Sequence, residues 1–129
     1  MADTARADSF AQALQQLDES GDASSLVAQF ADGAELRRPE LDRAQGPTTD
    51  PEQFWSTYRD QFSSISTEFT QVVESGDLGV LEWTSTATLQ AGREIEYAGV
   101  SLLTFDGDHV SRFSTYYDTA AFVVPTTDQ

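Results

Sequence analysis

The residue with the clearest chemical potential in this sequence is an aspartate, Asp118, at the end of the last predicted strand. Because side chains alternate along a strand, Arg112, Ser114, Tyr116 and Asp118 are expected to share one face. A carboxyl group in an apolar pocket has a raised pKa, which suits proton transfer near neutral pH. Asp118 is therefore a candidate acid or base. The alternatives are that it caps the strand end, pairs with an arginine or faces solvent.

Two further charged residues, Glu35 and Arg37, lie on a short predicted strand that ends at Pro39. If this strand is regular, both side chains project to one face, where either could form an acid–base pair with Asp118. Two carboxyl groups in unlike environments can serve as acid and base. In the competing register Leu36 faces inward and both charges face solvent, because a shift of one residue exchanges the faces.

A second set of residues could line a pocket and bind a substrate. Trp83 and Ser85 share one face of a predicted strand, and Tyr58 and Tyr97 could each present a hydroxyl donor. Tyr116 belongs to the same predicted face as Asp118. For the aromatic residues, packing in the core is the alternative to a role in binding.

The sequence excludes several kinds of site. It contains no Cys and a single His, His109, which rules out a thiolate nucleophile, a Cys-based zinc site and a multi-histidine metal centre. His109 follows an Asp-Gly-Asp turn at the start of a strand and is expected to be exposed. We therefore expect neither a metal nor a cofactor.

The charge balance is strongly acidic. Asp and Glu total 22 against 7 Arg and no Lys, for a net charge of -15. Such a surface repels phosphate backbones and anionic lipids, so neither nucleic acid nor a membrane surface is an expected partner. No apolar run approaches the roughly 18 residues of a membrane span, and residues 1–10 lack the features of a signal peptide. The expected location is the cytoplasm.

Two explanations of this acidity remain open: adaptation to a salty cytoplasm, or a genome that prefers Arg codons to Lys codons. Most acids, Asp18 and Glu74 included, fall at positions expected to face outward, which leaves Glu35 and Asp118 as acids with a role inside. Because the Debye length is about 3 Å at 1 M salt, a halophilic shell predicts a higher melting temperature in molar KCl than in dilute buffer. A flat or falling temperature in a KCl series favours codon bias.

These candidates are positioned by three helices and a set of strands. Apolar spacing predicts helices over about 4–19 and about 22–32, with Phe30 on the second, and a third that opens at Asp50-Pro51-Glu52 and includes Phe62. Period-two alternation begins at Ser66 and predicts four hairpin-connected strands after the short strand at 34–39. Segregated helices and antiparallel strands indicate an α+β fold, and 129 residues suit one domain.

Several segments resemble the SnoaL-like families of the nuclear transport factor 2-like superfamily. They are residues 26–34, the hairpin 75–77, and the segments 94–100, 105–110 and 116–118. The resemblance implies a curved antiparallel sheet wrapped around the helices into a cone, whose open end holds a small hydrophobic molecule. It also implies a homodimer, commonly through the outer face of the sheet. Ketosteroid isomerases, polyketide cyclases, limonene-type epoxide hydrolases and non-enzymatic proteins share this fold, so the fold alone does not decide the chemistry.

The resemblance also bears on individual residues. In similar epoxide hydrolases and cyclases, a strand that ends in two aromatics and an Asp places that carboxylate in the pocket, which implies this role for Asp118. Where the epoxide hydrolases carry their Arg and Asp, this chain has Trp83 and Ser85, and it has Glu35 and Arg37 at their Tyr and Asn. Their arrangement for activating water is therefore absent. The resemblance therefore implies one of two functions. The protein is either an isomerase, cyclase or hydrolase that acts by proton transfer, or a non-catalytic binding or dimerisation module.

Overall fold

The computed structural model describes residues 4–38 and 48–122, and Pro39 lies outside them. The helices are α1 (Ala5–Ser20), α2 (Ser24–Val27) and α3 (Pro51–Arg59). The strands are β1 (Phe30–Arg37), β2 (Phe62–Ser75), β3 (Leu78–Leu89), β4 (Glu94–Asp106) and β5 (His109–Tyr117), and a short 3-10 helix follows at Thr119–Phe122. The predicted α+β fold is confirmed.

The strands form one sheet in the order β1-β5-β4-β3-β2. The hairpin pairs β2–β3, β3–β4 and β4–β5 are antiparallel as predicted, whereas β1 joins the edge of β5 in parallel. The inner face of the sheet packs on α1, which buries Phe10, Leu14 and Leu17. The sheet and the helices therefore enclose a single apolar core.

The helix ends follow the local sequence. Gly21 adopts a left-handed conformation (φ 76°) after α1 and donates its N–H to the carbonyl of Leu17. At the start of α3, the Asp50 side chain accepts a hydrogen bond from the N–H of Gln53, and Pro51 occupies the first helical position. The start predicted for α3 is therefore confirmed.

Two predicted helices extend too far. Phe30 begins β1 rather than continuing α2, and Phe62 begins β2 rather than ending α3. Phe62 pairs with Leu89 across the sheet, and the polar, β-branched run that follows it favours a strand. Both phenylalanines are buried. Their predicted place in the core is therefore correct, but their predicted place on a helix is wrong.

A partly buried ion pair joins the start of α1 to the sheet. Glu74 accepts hydrogen bonds from the side chain of Arg6 (2.6 Å) and from the N–H of Ala7 (3.0 Å). The same arginine donates to the carbonyls of Gly76 and Gly107, in the β2–β3 and β4–β5 turns. Glu74, expected on the surface, is therefore a buried structural residue.

Candidate functional site

A cavity lies between the helices and the inner face of the sheet. Its free volume is about 20 Å³, room for about one water molecule, so a larger ligand enters only if side chains of the wall move. Its apolar wall consists of Leu14, Phe54, Trp55, Trp83, Phe113 and Tyr117. Its polar wall consists of Arg38, Tyr58, Thr67, Ser85, Ser101 and Thr115. An apolar cavity with a few polar groups is the usual form of a small-molecule site.

Two pairs of hydroxyls lie on facing residues of neighbouring strands. Thr67 on β2 and Ser85 on β3 are 2.8 Å apart through their hydroxyl oxygens, and Ser101 and Thr115 are 2.9 Å apart in the same way. In each pair either hydroxyl can donate. The sheet thus presents polar groups that can exchange a proton without forming a charge.

The indole of Trp83 lies between these pairs and donates its N–H to Ser101 (3.0 Å). It fits because residue 99 is glycine: a Cβ there would lie 2.6 Å from the indole ring and 2.6 Å from the carbonyl oxygen of Tyr116. Gly99 therefore allows the ring to lie against β4. The orientation of Trp83 depends on this close approach.

Tyr58 on α3 and Tyr97 on β4 share a short hydrogen bond between their hydroxyls. Burial, more than any other influence, raises the pKa of both phenols above the ordinary value, so both remain protonated. The pair has two hydroxyl protons and uses one in the mutual bond. The other proton is available to a further acceptor.

One donor of the cavity wall is suited to binding an oxygen atom, and a cation lies in the same wall. Trp55 is buried, and among the described residues its indole N–H has no hydrogen-bond partner. A buried indole N–H usually has one, so this donor is free for a ligand. Arg38 lines the same cavity, and its guanidinium lies over the ring of Phe54 at 4.7 Å from the centroid.

A carboxyl group is buried behind the polar wall. Asp18 on α1 is 4% exposed, and among the described residues neither of its carboxylate oxygens has a hydrogen-bond partner. Burial raises its pKa from 3.8 to about 6, against the smaller opposing influence of Thr67 and Arg59. Sequence analysis placed Asp18 on the surface, and this prediction is wrong. The available signal was its position four residues after Leu14, on the same face of the helix.

The predicted ligand-binding residues are partly assembled. Tyr58, Trp83 and Ser85 line the cavity, and Tyr97 lies behind Tyr58. Tyr116, in contrast, is 43% exposed, while its neighbour Tyr117 lines the cavity. The face predicted for the end of β5 is therefore reversed.

Asp118 does not lie in the cavity. Its side chain is exposed and accepts a hydrogen bond from the N–H of Ala120 (3.0 Å), at the start of the short 3-10 helix. The prediction of an acid inside the pocket is wrong for this residue, and the capping alternative is correct. His109 is exposed, as predicted.

Glu35 and Arg37 are likewise not brought together with Asp118. Leu36 is fully buried, so the register that turns Leu36 inward is the correct one, although Arg37 is only partly exposed and its Nε is buried. Glu35 faces Arg112 of β5 at 3.7 Å on the exposed side, and Arg37 is absent from the cavity wall. The arginine that lines the cavity is the next residue, Arg38.

Within residues 4–38 and 48–122, no three side chains of His, Cys, Asp or Glu gather into a group that could hold a metal ion. In the same part of the chain, no helix combines the length and the apolar character needed to cross a membrane.

Comparison with known proteins finds a matching domain family and solved structures of similar fold. The model of the SnoaL-like domain matches residues 8–113. An NTF2-like protein from Anabaena variabilis superposes with a TM-score of 0.80 at 13% identity, covering 91% of this chain and 90% of that one. An LEH-like epoxide hydrolase from M. tuberculosis has a TM-score of 0.69 at 10% identity, with 91% and 86% covered.

IdmH, a proposed polyketide cyclase from Streptomyces antibioticus, has a TM-score of 0.71 at 19% identity, with 88% of this chain and 93% of that one covered. No curated protein shows a significant sequence match. At these identities the structures establish the cone-shaped fold and leave the chemistry open. Because the domain model spans most of the sequence, the chain belongs to the SnoaL-like domain family.

Proposed function

We propose that the cavity binds a small, mostly apolar molecule that carries a carbonyl or hydroxyl oxygen, and that the protein acts on it by proton transfer as an isomerase, cyclase or hydrolase. The observation that carries this proposal is the indole N–H of Trp55, a donor without a partner among the described residues, in the apolar part of the wall. Solved structures of the same fold include a proposed polyketide cyclase and an epoxide hydrolase, which supports this class of substrate.

The donors of the cavity suggest how such a molecule would be activated. The Trp55 N–H and the Tyr58 hydroxyl can donate to a carbonyl oxygen and stabilise the negative charge that develops there when a neighbouring proton leaves. Tyr58 keeps its proton because burial raises its pKa. The guanidinium of Arg38 adds a positive charge to the same wall.

A second function, ligand binding without turnover, is favoured by a different observation. Among the described residues that line the cavity there is no carboxylate and no imidazole, so no conventional base touches the ligand space. A binding module needs only the aromatic wall and its donors. Exchange of a ligand's acidic C–H protons with D₂O, followed by NMR, separates the two functions because only proton transfer produces it.

Trp55→Phe is expected to weaken binding of a hydroxylated aromatic probe, 2-naphthol, by about five- to tenfold, since one hydrogen bond contributes roughly 1 kcal/mol. Isothermal titration calorimetry measures the change. Tyr116→Phe is the control: this exposed ring lies outside the cavity wall, so loss of its hydroxyl should change the affinity less than about twofold. Equal affinities of wild type and Trp55→Phe, or no binding at all, contradict the proposal.

We also propose that two copies associate through the outer face of the sheet. Large apolar side chains are exposed there on neighbouring strands, namely Val73, Leu78, Leu102 and Tyr116. Leu102 pairs in register with Val80, and Tyr116 with Val100, so the exposed groups adjoin further apolar side chains. Patches of this kind mark interfaces between proteins.

Leu102→Glu is expected to convert the dimer to a monomer, because it places a charge at the centre of this patch. Sedimentation equilibrium measures the mass. His109→Glu, an exposed change at the start of β5, should leave the dimer intact. A wild-type chain that is monomeric at all concentrations contradicts the proposal.

A further inference from the structure

Asp18 lies on the far side of the cavity wall, in a groove that opens to solvent. The groove runs between α1 and β2 and is lined by Gln15, Asp18, Glu19, Ile65, Ser66 and Thr67. Thr67 is the one described residue that lines both this groove and the cavity. Thr67 therefore lies between the cavity and the groove that the buried Asp18 lines.

We propose that Asp18 passes protons between solvent in this groove and the ligand in the cavity, through the hydroxyls of Thr67 and Ser85. The inference rests on the proposed function and adds the proton source that the cavity wall lacks. Asp18 touches no ligand in this scheme. It is a positioning residue that acts through Thr67.

A hydrogen bond provides the inner step of the path, and at the outer step Asp18 and Thr67 adjoin each other in the groove. The hydroxyl and the backbone N–H of Thr67 approach the Asp18 carboxylate closely enough to favour its charged form, without a hydrogen bond of standard geometry. The Thr67 hydroxyl is in turn 2.8 Å from that of Ser85, and either can donate. Ser85 is part of the cavity wall, where it faces the ligand space.

The proposed path consists of three successive proton transfers. Asp18 gives its carboxyl proton to the Thr67 hydroxyl oxygen, Thr67 gives its own proton to Ser85, and Ser85 gives its own to an oxygen of the ligand. Each hydroxyl gains one proton and loses one, so only Asp18 and the ligand change charge. Both carboxylate oxygens are buried, so water returns a proton to Asp18 when the groove opens to admit it. The reverse sequence removes a proton from the ligand.

The charged surroundings of Asp18 suit this exchange. From the end of α3, Arg59 favours the carboxylate, but its guanidinium donates to the backbone carbonyls of Leu17, Asp18 and Phe62. The phenols of Tyr58 and Tyr97 lie behind Asp18 and remain neutral. Glu19 lies in the same groove and is exposed. With a pKa of about 6, Asp18 populates both protonation states near neutral pH.

The path is tested by following the Asp18 carboxyl carbon by NMR through a pH titration, which needs no activity. In wild type the midpoint is expected at about 6. Thr67→Val removes the hydroxyl and should raise the midpoint by about half a unit or more, whereas Thr67→Ser keeps the hydroxyl and should restore it. Glu19→Gln, which changes an exposed acid in the same groove, should leave it within about 0.3 units.

A wild-type midpoint near 4, or a midpoint that is the same in Thr67→Val as in wild type, overturns the relay. Addition of 2-naphthol supplies a second readout: the ligand should shift the Asp18 midpoint in wild type and not in Thr67→Val. Bound naphthol without this shift in wild type also overturns the relay. Failure of naphthol to bind would instead count against the proposed function, and the midpoints in the free protein would still decide the relay.

Discussion

Phe113→Ala is expected to lower the free energy of unfolding by about 3–5 kcal/mol, since truncating a buried phenylalanine removes its burial energy and leaves a cavity. Phe113 is 1% exposed. Its ring centroid lies 5.2 Å from that of Trp55, 5.5 Å from Phe10 and 6.0 Å from Phe54. It therefore joins rings of α1, α3 and β5, and its truncation leaves all three rings without this contact.

Urea unfolding followed by tryptophan fluorescence measures the loss. Tyr116→Ala is the matched control, because it truncates an aromatic ring on the same strand that is 43% exposed, and it should cost less than about 1 kcal/mol in dilute protein. Similar losses for the two variants would mean that Phe113 does not hold the helices to the sheet. Phe113→Ala should also alter ligand binding, since Phe113 lines the cavity.

A β-bulge in β5 explains why the face of this strand was predicted wrongly. Strict alternation from Val110 puts residues 112, 114 and 116 inward. In the structure Val110 faces Phe105 but Arg112 faces Thr104, so Ser111 is an extra residue in a β-bulge. A bulge reverses the faces beyond it, which brings Phe113, Thr115 and Tyr117 inward. No local signal in the sequence identifies Ser111 as the bulged residue.

Other parts of the fold follow directly from local sequence. The hairpin turns at 75–77 and 106–108 and the cap of α3 depend on residues next to one another, and they were predicted correctly. The cavity wall depends instead on contacts between distant residues. The bond between Tyr58 and Tyr97 and the approach of Trp83 to Gly99 are examples that spacing along the chain does not reveal.

The strong acidity of the chain made the burial of one of its carboxyl groups, that of Asp18, hard to predict from the sequence. With 22 Asp and Glu residues, a solvated position is the expectation for each of them. Asp18 departs from it because α1 packs its Leu14 and Leu17 face against the sheet, and residue 18 falls on the border of that face. Burial of a carboxyl without hydrogen bonds costs stability, and a functional role is one reason for a protein to keep it.

Asp18→Asn is expected to raise the stability of the protein at pH 8 by about 2–3 kcal/mol more than it does at pH 4. The folded pKa of about 6 lies above the unfolded value of 3.8, so the folded state favours the neutral acid. The contribution of Asp18 to the free energy of unfolding of wild type is therefore largest below pH 3.8, and it is lost as the pH rises to about 6. Each unit of pKa difference corresponds to about 1.4 kcal/mol, which sets the magnitude.

Urea unfolding of both proteins at several pH values between 4 and 8 tests this expectation. The many other carboxyl groups titrate in the same range, but they are common to both proteins and cancel in the difference. Glu19→Gln serves as the control, since an exposed acid should give a difference that does not change with pH. A difference between wild type and Asp18→Asn that is equally independent of pH would show that Asp18 ionises as readily in the folded protein as in the unfolded chain. That result would remove the stability cost that Asp18 imposes above pH 6, and with it the reason to regard its burial as functional.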